Sequence, residues 1–89
     1  MEVVDNKAKD RFELEADGHI AFGSYEREDG LITFTHTIVP AELQGRGLGS
    51  ILIKAALDAV RAEGLKVVPE CPFVRAYIDK HPEEQDLLA

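Results

Sequence analysis

The sequence has a single cysteine, Cys71, and no long apolar run. One thiol forms no internal disulfide and supplies no cysteine-based zinc site, which favours a reducing, cytoplasmic location. Without about 20 consecutive apolar residues, the chain is not expected to cross a membrane. Residues 1–12 lack the cationic and apolar stretch of a secretory signal peptide, which again favours the cytoplasm.

Basic residues are scarce as well: 10 lysines and arginines stand against 17 aspartates and glutamates, for a net charge of −7. Nucleic acids and anionic membranes are bound by cationic surfaces, so neither is expected as a partner. The acidic surface is compatible with a cationic amine, although solubility explains the charge more simply. The length of 89 residues, 45% of them hydrophobic, predicts one domain over residues 1–89 with one core.

The first half of the chain alternates apolar and polar residues, which predicts an antiparallel meander. The predicted strands are 11–16, 19–28 and 31–39, with Val3 and Val4 as candidates for an earlier start. Asp17-Gly18 and Asp29-Gly30 are turn sequences between them. Gly23, inside the second strand, indicates a bulge or a bend.

The second half changes to helical spacing after Pro40. An apolar stripe predicts a helix that ends at Gly64; its residues are Leu48, Ile51, Leu52, Ala55, Ala59 and Val60. A short strand over 65–68 and a second helix over 72–81 follow, and the strand–helix–strand order favours parallel pairing. Residues 82–89 are expected either as a loose tail or packed back on the domain through Leu87 and Leu88.

Three glycines, Gly45, Gly47 and Gly49, come directly before the first helix in VPAELQGRGLGSIL. A helix N-terminus has unpaired N–H groups, and glycines let a ligand approach the backbone, so the pattern predicts a phosphate or pyrophosphate cradle. Arg46 is a candidate contact at its rim. A tight turn without a ligand is the simpler alternative.

Two common nucleotide-binding loops do not fit these residues. A Walker A loop requires Lys-Ser/Thr after its last glycine, where this chain has Ser50-Ile51. The dinucleotide fingerprint requires a third glycine, and its position is occupied by Ser50 or Leu52, depending on where the count begins.

The arrangement Gln44-x-x-Gly47-x-Gly49, after a strand ending in Ile38-Val39-Pro40, resembles the acetyl-CoA loop of GNAT-type N-acetyltransferases. Residues 36–83 are similar to the short, single-domain GNAT-like members of that family. VVPECPFVRAYIDKHPE, residues 67–83, is the more specific part, because many larger members share the glycine loop but not this segment.

This resemblance implies a minimal α/β (α+β) fold, with a GNAT-like mixed sheet in which an antiparallel meander is followed by strand, helix, strand and helix. It implies acetyl-CoA as the cofactor, held where the strands on either side of the glycine loop splay apart. A backbone N–H near Val39 would polarise the thioester carbonyl. The implied cofactor-binding residues are Ile38, Val39, Gln44, Gly45, Arg46, Gly47, Leu48, Gly49, Ser50, Cys71 and Phe73.

Two residues are candidates for catalysis. Cys71 is a nucleophile that accepts the acetyl group, a residue lining the thioester pocket, or a small buried hydrophobe. His36 is a general base or a half-buried structural histidine, since it has the strand parity of Ile32 and Phe34. The leaving-group tyrosine of larger family members aligns with Ile78, so Tyr77 is expected to pack in the core.

The leading hypothesis is therefore an acetyltransferase that moves acetyl from acetyl-CoA to a small-molecule or peptide amine, directly or through Cys71. The alternative is a module that binds coenzyme A or acyl-CoA with little or no turnover, and a third is an interaction domain that keeps only the fold. His19 and His81 have no partners at metal-ligand spacing, so no metal is expected. We expect a monomer or a weak dimer formed through an exposed sheet edge.

Overall fold

The computed structural model describes residues 2–89 and confirms the predicted mixed α/β fold. Five strands form one sheet in the order β1-β2-β3-β4-β5. The strands are β1 (Val3–Asn6), β2 (Arg11–Ala16), β3 (His19–Glu28), β4 (Leu31–Ile38) and β5 (Lys66–Pro69), and the helices are α1 (Leu48–Ala62) and α2 (Pro72–Lys80). Short 3-10 helices cover Lys7–Lys9, Ala41–Leu43 and Pro82–Leu87.

Strands β1 to β4 pair antiparallel, whereas β4 and β5 run parallel, from Leu31↔Lys66 to Phe34↔Pro69. Helix α1 makes the crossover between these two strands and packs on one face of the sheet, together with α2. One hydrophobic core lies between the sheet and the helices. The other face of the sheet is open.

The apolar stripe of α1 was predicted only in part. Leu48, Leu52 and Val60 are buried as expected, but Ile51 is exposed. The structure buries four residues outside the predicted stripe instead, namely Gly49, Ile53, Ala56 and Leu57. The buried face is therefore turned by about one residue, because the crossover helix lies over the sheet and also contacts α2 along one side.

The pairing of β3 with β4 contains a β-bulge. Consecutive residues Ser24 and Tyr25 lie opposite His36 and Phe34, which leaves Thr35 as an extra residue in β4. Gly23 predicted an irregularity in this region, and the structure places it one residue further on and in the partner strand. Because side chains alternate along a strand, the extra residue reverses which positions face the core beyond Phe34.

The C-terminal residues pack against the domain. Leu87 is 4% exposed and belongs to the core, and the Ala89 amide donates to the Val67 carbonyl at 3.0 Å. Arg61 of α1 binds the Asp86 carboxylate through both terminal nitrogens, at 2.7 and 3.0 Å. Of the two alternatives for this segment, the structure shows the packed one. Neither helix within residues 2–89 has the length and apolar character needed to cross a bilayer.

Candidate cofactor cleft

A cleft of about 400 Å³ opens at the N-terminus of α1. It lies between the end of β4, the loop before α1, and the start of α2. The lining residues are Thr37, Val39, Leu43, Gln44, Gly45, Gly47, Leu48, Gly49, Ser50 and Phe73. The lining is mostly apolar or backbone, as is typical of sites that take an extended ligand.

The glycine loop presents its backbone to this cleft. Gly45 and Gly47 have φ of 79° and 73°, in the left-handed region that glycine adopts without strain. Gly47 is the N-cap of α1, and no side chain caps the helix. The first intrahelical bond runs from the Ile51 amide to the Gly47 carbonyl, so the amides of residues 48–50 have no partner within the helix. These N–H groups and the helix dipole make the loop suitable for an anion.

Gly49 lets α2 approach the start of α1 closely. A Cβ built on Gly49 would lie 2.8 Å from Cζ of Phe73, closer than real contacts allow. Phe73 is nevertheless 41% exposed, and it lines the cleft beside Gly49. Gly49 is therefore needed for the position of an aromatic side chain and not for an unusual backbone angle.

The edge of β4 beside the cleft is left unpaired by β5. The parallel register ends at Phe34↔Pro69, and the Cys71 amide then donates to the Phe34 carbonyl at 2.8 Å. Strand β4 continues for four more residues, 35–38, none of which pairs with β5, and residues 36–38 pair only with β3 among residues 2–89. The Val39 carbonyl accepts from Nε2 of Gln44 at 3.0 Å, which ties the end of this edge to the glycine loop.

Cys71 is 3% exposed and does not line the cleft. Its sulfur lies 3.2 Å from Oγ1 of Thr37, which does line the cleft. Thr37 thus contacts both the thiol and the open space. Cys71 is also the N-cap of α2, with Pro72 in the first helical position.

Comparison with known proteins is consistent with this geometry. A sequence model of the GCN5-related N-acetyl-transferase family matches residues 11–87. The chain belongs to this family. Its fold matches the NMR solution structure of a GCN5-like putative N-acetyltransferase from Staphylococcus aureus, with a TM-score of 0.76 and 27% identity over 99% of this chain and 87% of that one.

Curated relatives match a shorter part of the chain. Identity to Protein NATD1 of Gallus gallus is 39% over 57 residues, which cover 64% of this chain and 52% of that protein. Protein NATD1 of Homo sapiens is also 39% identical, over 64% of this chain and 50% of its own length. The chain therefore spans about half the length of these relatives. N-acetyltransferases of this family generally use acetyl-CoA as their cofactor.

Eight of the eleven predicted cofactor-binding residues of this N-acetyltransferase domain line the cleft, and Ile38, Arg46 and Cys71 do not. Nη1 of Arg46 binds Oδ2 of Asp17 at 2.6 Å, which holds the guanidinium at the turn between β2 and β3. The side chain of Ile38 is exposed on the open face of the sheet, so only the backbone of this residue is available to contact a ligand in the cleft.

Alternation along the strand predicted that the His36 side chain faces the same side of the sheet as Ile32 and Phe34, and the structure places it on the other side. The bulge at Thr35 turns its side chain to the open face, where it is exposed, while Thr37 turns inward. The expected grouping with Ile32 and Phe34 is wrong, and so is the half-buried environment. Because Thr37 contacts Cys71, its neighbour His36 points away from the thiol, and proton transfer between His36 and Cys71 does not fit this geometry.

Two lining residues, Thr37 and Leu43, were missed in the sequence. Strict alternation from Phe34 onward would put Thr37 on the outer face, and the bulge turns it inward. Leu43 is an apolar residue in an otherwise polar loop, and that contrast was the available signal; the structure buries it completely.

Tyr77 packs in the core as expected, and burial raises the pKa of its hydroxyl. Glu42 and Glu70 are exposed and do not line the cleft. Within residues 2–89, no group of His, Cys, Asp and Glu side chains is arranged to hold a metal ion.

Proposed function

We propose that this chain binds acetyl-CoA in the cleft and transfers the acetyl group to an amine acceptor. The observation that carries the proposal is that residues 48–50, whose amides have no partner within the helix, line the cleft next to the unpaired edge of β4. When bound, acetyl-CoA supplies an activated thioester. The diphosphate fits the helix start because both the N–H groups and the helix dipole favour an anion there.

The remainder of the cleft suits the pantetheine arm. Backbone groups of residues 35–38 lack a β5 partner, so they are free to pair with amide groups of an extended ligand. Leu43, Leu48 and Phe73 supply apolar walls. A backbone N–H near Val39 is the candidate donor that stabilises negative charge developing on the thioester oxygen.

Direct transfer to the amine is the simpler route here. Cys71 is buried and reaches the cleft only through its contact with Thr37, whereas a nucleophile must contact the thioester. Mass spectrometry after incubation with acetyl-CoA tests this. We expect no acetyl adduct on Cys71, and we expect Cys71→Ala to retain transfer. An adduct at Cys71, with loss of transfer in Cys71→Ala, would establish the cysteine route.

One observation favours the alternative, a coenzyme A-binding module without turnover. None of the lining residues has a titratable side chain; the polar ones are Thr37, Gln44 and Ser50. An attacking ammonium must lose a proton before it reacts, so an enzyme needs a base from the acceptor side or from water. His36→Gln tests one such base: a lower transfer rate with unchanged coenzyme A affinity would show that His36 acts on the acceptor.

Calorimetric titration with coenzyme A, followed by a transfer assay, separates these functions. The assay uses labelled acetyl-CoA with a polyamine or a lysine-containing peptide as acceptor, because the chain carries a net charge of −7. Binding with transfer supports the acetyltransferase, and binding without transfer supports the module. Absence of coenzyme A binding contradicts both and leaves a domain that keeps only the fold.

A further inference from the structure

The two outer strands of the sheet differ in how their free edges are covered. Strand β5 is bordered by the C-terminal residues, because Val67 forms a bridge with Leu88 and its carbonyl accepts from the Ala89 amide at 3.0 Å. Strand β1 lies at the other end of the sheet and pairs only with β2 among residues 2–89. Its outer edge therefore presents backbone N–H and C=O groups that are available to pair with a further strand.

A hollow of about 320 Å³ lies beside this edge, on the open face of the sheet. Its lining residues are Glu2, Val4, Glu13, Glu15 and Ile20. In the sheet, Val4 lies opposite Glu13 and Glu15 lies opposite Ile20, so the hollow crosses the first three strands. Val4 and Ile20 are exposed, at 51% and 39%. The hollow thus combines aliphatic surface with carboxylates, next to an edge with free backbone groups.

The carboxylates of the hollow are only partly neutralised. Glu13 pairs with Arg11, whereas Glu2 and Glu15 have no salt-bridge or hydrogen-bond partner within residues 2–89. The register of β1 with β2 brings Glu2 beside Glu15, where like charges on adjacent strands repel. A partner that brings positive charge relieves this repulsion. A second copy of this chain would increase it, because its own β1 edge carries the same carboxylates.

We propose that the β1 edge docks a basic, extended segment of another protein. The segment pairs with β1 through its backbone and extends a lysine or arginine side chain over the hollow. Adjacent strands lie about 5 Å apart, so a long side chain on an added strand crosses Val4 and reaches the carboxylates of β2. Its aliphatic stem packs on Val4 and Ile20 while its charge pairs with Glu15. The hollow shares no residue with the cleft, so the inference does not rest on the proposed function.

The test uses two short synthetic peptides that differ only in charge. One alternates lysine with threonine, and the other has glutamate in place of each lysine. In fluorescence anisotropy titrations, the lysine peptide is expected to bind with an affinity that falls as salt is raised, because exposed charges are screened. The glutamate peptide is expected not to bind. Amide hydrogen exchange then locates the contact: outer-edge amides within residues 3–6 are expected to gain protection, because strand pairing shields them.

Three variants make the result specific. Glu15→Lys is expected to weaken binding of the lysine peptide about three- to tenfold, because it replaces an attraction between exposed charges with a repulsion. Glu28→Lys is the matched control, since Glu28 is an exposed glutamate at the far end of β3 and does not line the hollow. It is expected to change the affinity less than about twofold. Val4→Lys places a charge on the edge itself and is expected to abolish both binding and protection; Val4 is exposed, and thermal unfolding verifies that the variant folds.

The inference is overturned if the lysine peptide does not bind, or if it binds without protecting amides within residues 3–6. It also fails if Glu28→Lys weakens binding as much as Glu15→Lys, because the peptide then responds to net charge alone. Sedimentation that shows a wild-type dimer, dissociated by Val4→Lys, would assign the edge to a second copy instead. Coenzyme A affinity is expected to be the same in all three variants, so none of these outcomes bears on the proposed function.

Discussion

The hydroxyl oxygen of Thr37 lies 3.2 Å from the sulfur of Cys71, joining the end of β4 to the first residue before α2. The contact places Thr37, which lines the cleft, against a buried thiol that does not. It also shows that the Thr37 side chain faces inward at this point of β4. Because neighbouring residues in a strand face opposite sides of the sheet, His36 must face outward.

Replacement of Cys71 by alanine tests whether the thiol only fills space. The side chain is 3% exposed, so Cys71→Ala is expected to lower the free energy of unfolding by about 1 kcal/mol, the amount for one buried group of this size. Coenzyme A affinity is expected to change less than twofold. Urea unfolding and calorimetric titration measure the two effects. Cys71→Ser, which keeps a polar contact with Thr37, is the control, and a tenfold loss of affinity in Cys71→Ala would instead place the thiol in the ligand pocket.

Gly47 and Gly64 form a matched pair for testing the glycine loop. Both have φ of 73°, and a Cβ on either would meet no atom within 4 Å. Alanine at each position is therefore expected to cost a similar 1–2 kcal/mol, roughly, through backbone strain alone. Only Gly47→Ala is expected to reduce coenzyme A affinity, by about tenfold or more, because only Gly47 lines the cleft. Equal affinities in the two variants would contradict the cradle.

Gly49→Ala is expected to separate stability from binding. Gly49 lies in the first turn of α1, where alanine is favoured over glycine by up to about 1 kcal/mol. The added methyl group would meet Phe73 at 2.8 Å, and this ring is free to turn because it is partly exposed. We expect the free energy of unfolding to change by less than about 1 kcal/mol while coenzyme A affinity falls, since the ring moves into the cleft. Thermal unfolding with and without coenzyme A measures both, and an undiminished ligand-induced shift would show that the position of Phe73 is unimportant.

Stability is expected to fall in acid through two ion pairs. Hydrogen bonds from Arg11 and Arg27 lower the pKa of Glu13 and Glu63, respectively, below the ordinary value of 4.5. The stabilisation is therefore complete above about pH 4.5 and is lost as the pH falls through the folded-state values. Because the pairs are partly exposed, each is expected to contribute less than about 1 kcal/mol.

Urea unfolding between pH 3 and pH 6 measures this dependence. Glu13→Gln and Glu63→Gln are each expected to flatten it, whereas Glu28→Gln, at an exposed end of β3, is expected to leave it unchanged. A steep acid dependence that survives both of the first two substitutions would mean that other carboxylates control it.

Two adjacent leucines test the packing of the C-terminal residues. Leu87 is 4% exposed and Leu88 is 39% exposed. Leu87→Ala is expected to lower the free energy of unfolding by about 2–3 kcal/mol, because it leaves a cavity between α1 and β5, whereas Leu88→Ala is expected to cost less than about 1 kcal/mol. Chemical denaturation of both variants gives the comparison. Similar small losses would indicate that the segment contributes little to the core.

Much of this fold could be predicted from the sequence because its signals are local. The first hairpin was predicted from the alternation of apolar and polar residues over 11–16 and from the turn dipeptide Asp17-Gly18. The start of α1 was predicted from the change to helical spacing at Leu48. The glycine loop was recognisable because Gln44-x-x-Gly47-x-Gly49 before an apolar helix resembles the acetyl-CoA loop of the family, at a helix N-terminus suited to an anion. The parallel pairing of β4 with β5 followed from the crossover, since a helix between two strands favours parallel pairing.

The sequence by itself determined the elements, the family resemblance and the loop that lines the cleft. The tertiary structure decided which face of β4 each residue occupies beyond Phe34, and with it the exchange of His36 for Thr37 beside Cys71. The physical reason is that a bulge is a property of two paired strands. Thr35 is an extra residue only because the adjacent residues Ser24 and Tyr25 of β3 pair with His36 and Phe34. The contact of Gly49 with Phe73, two residues distant in the sequence, likewise forms only when α1 and α2 pack together in the folded chain.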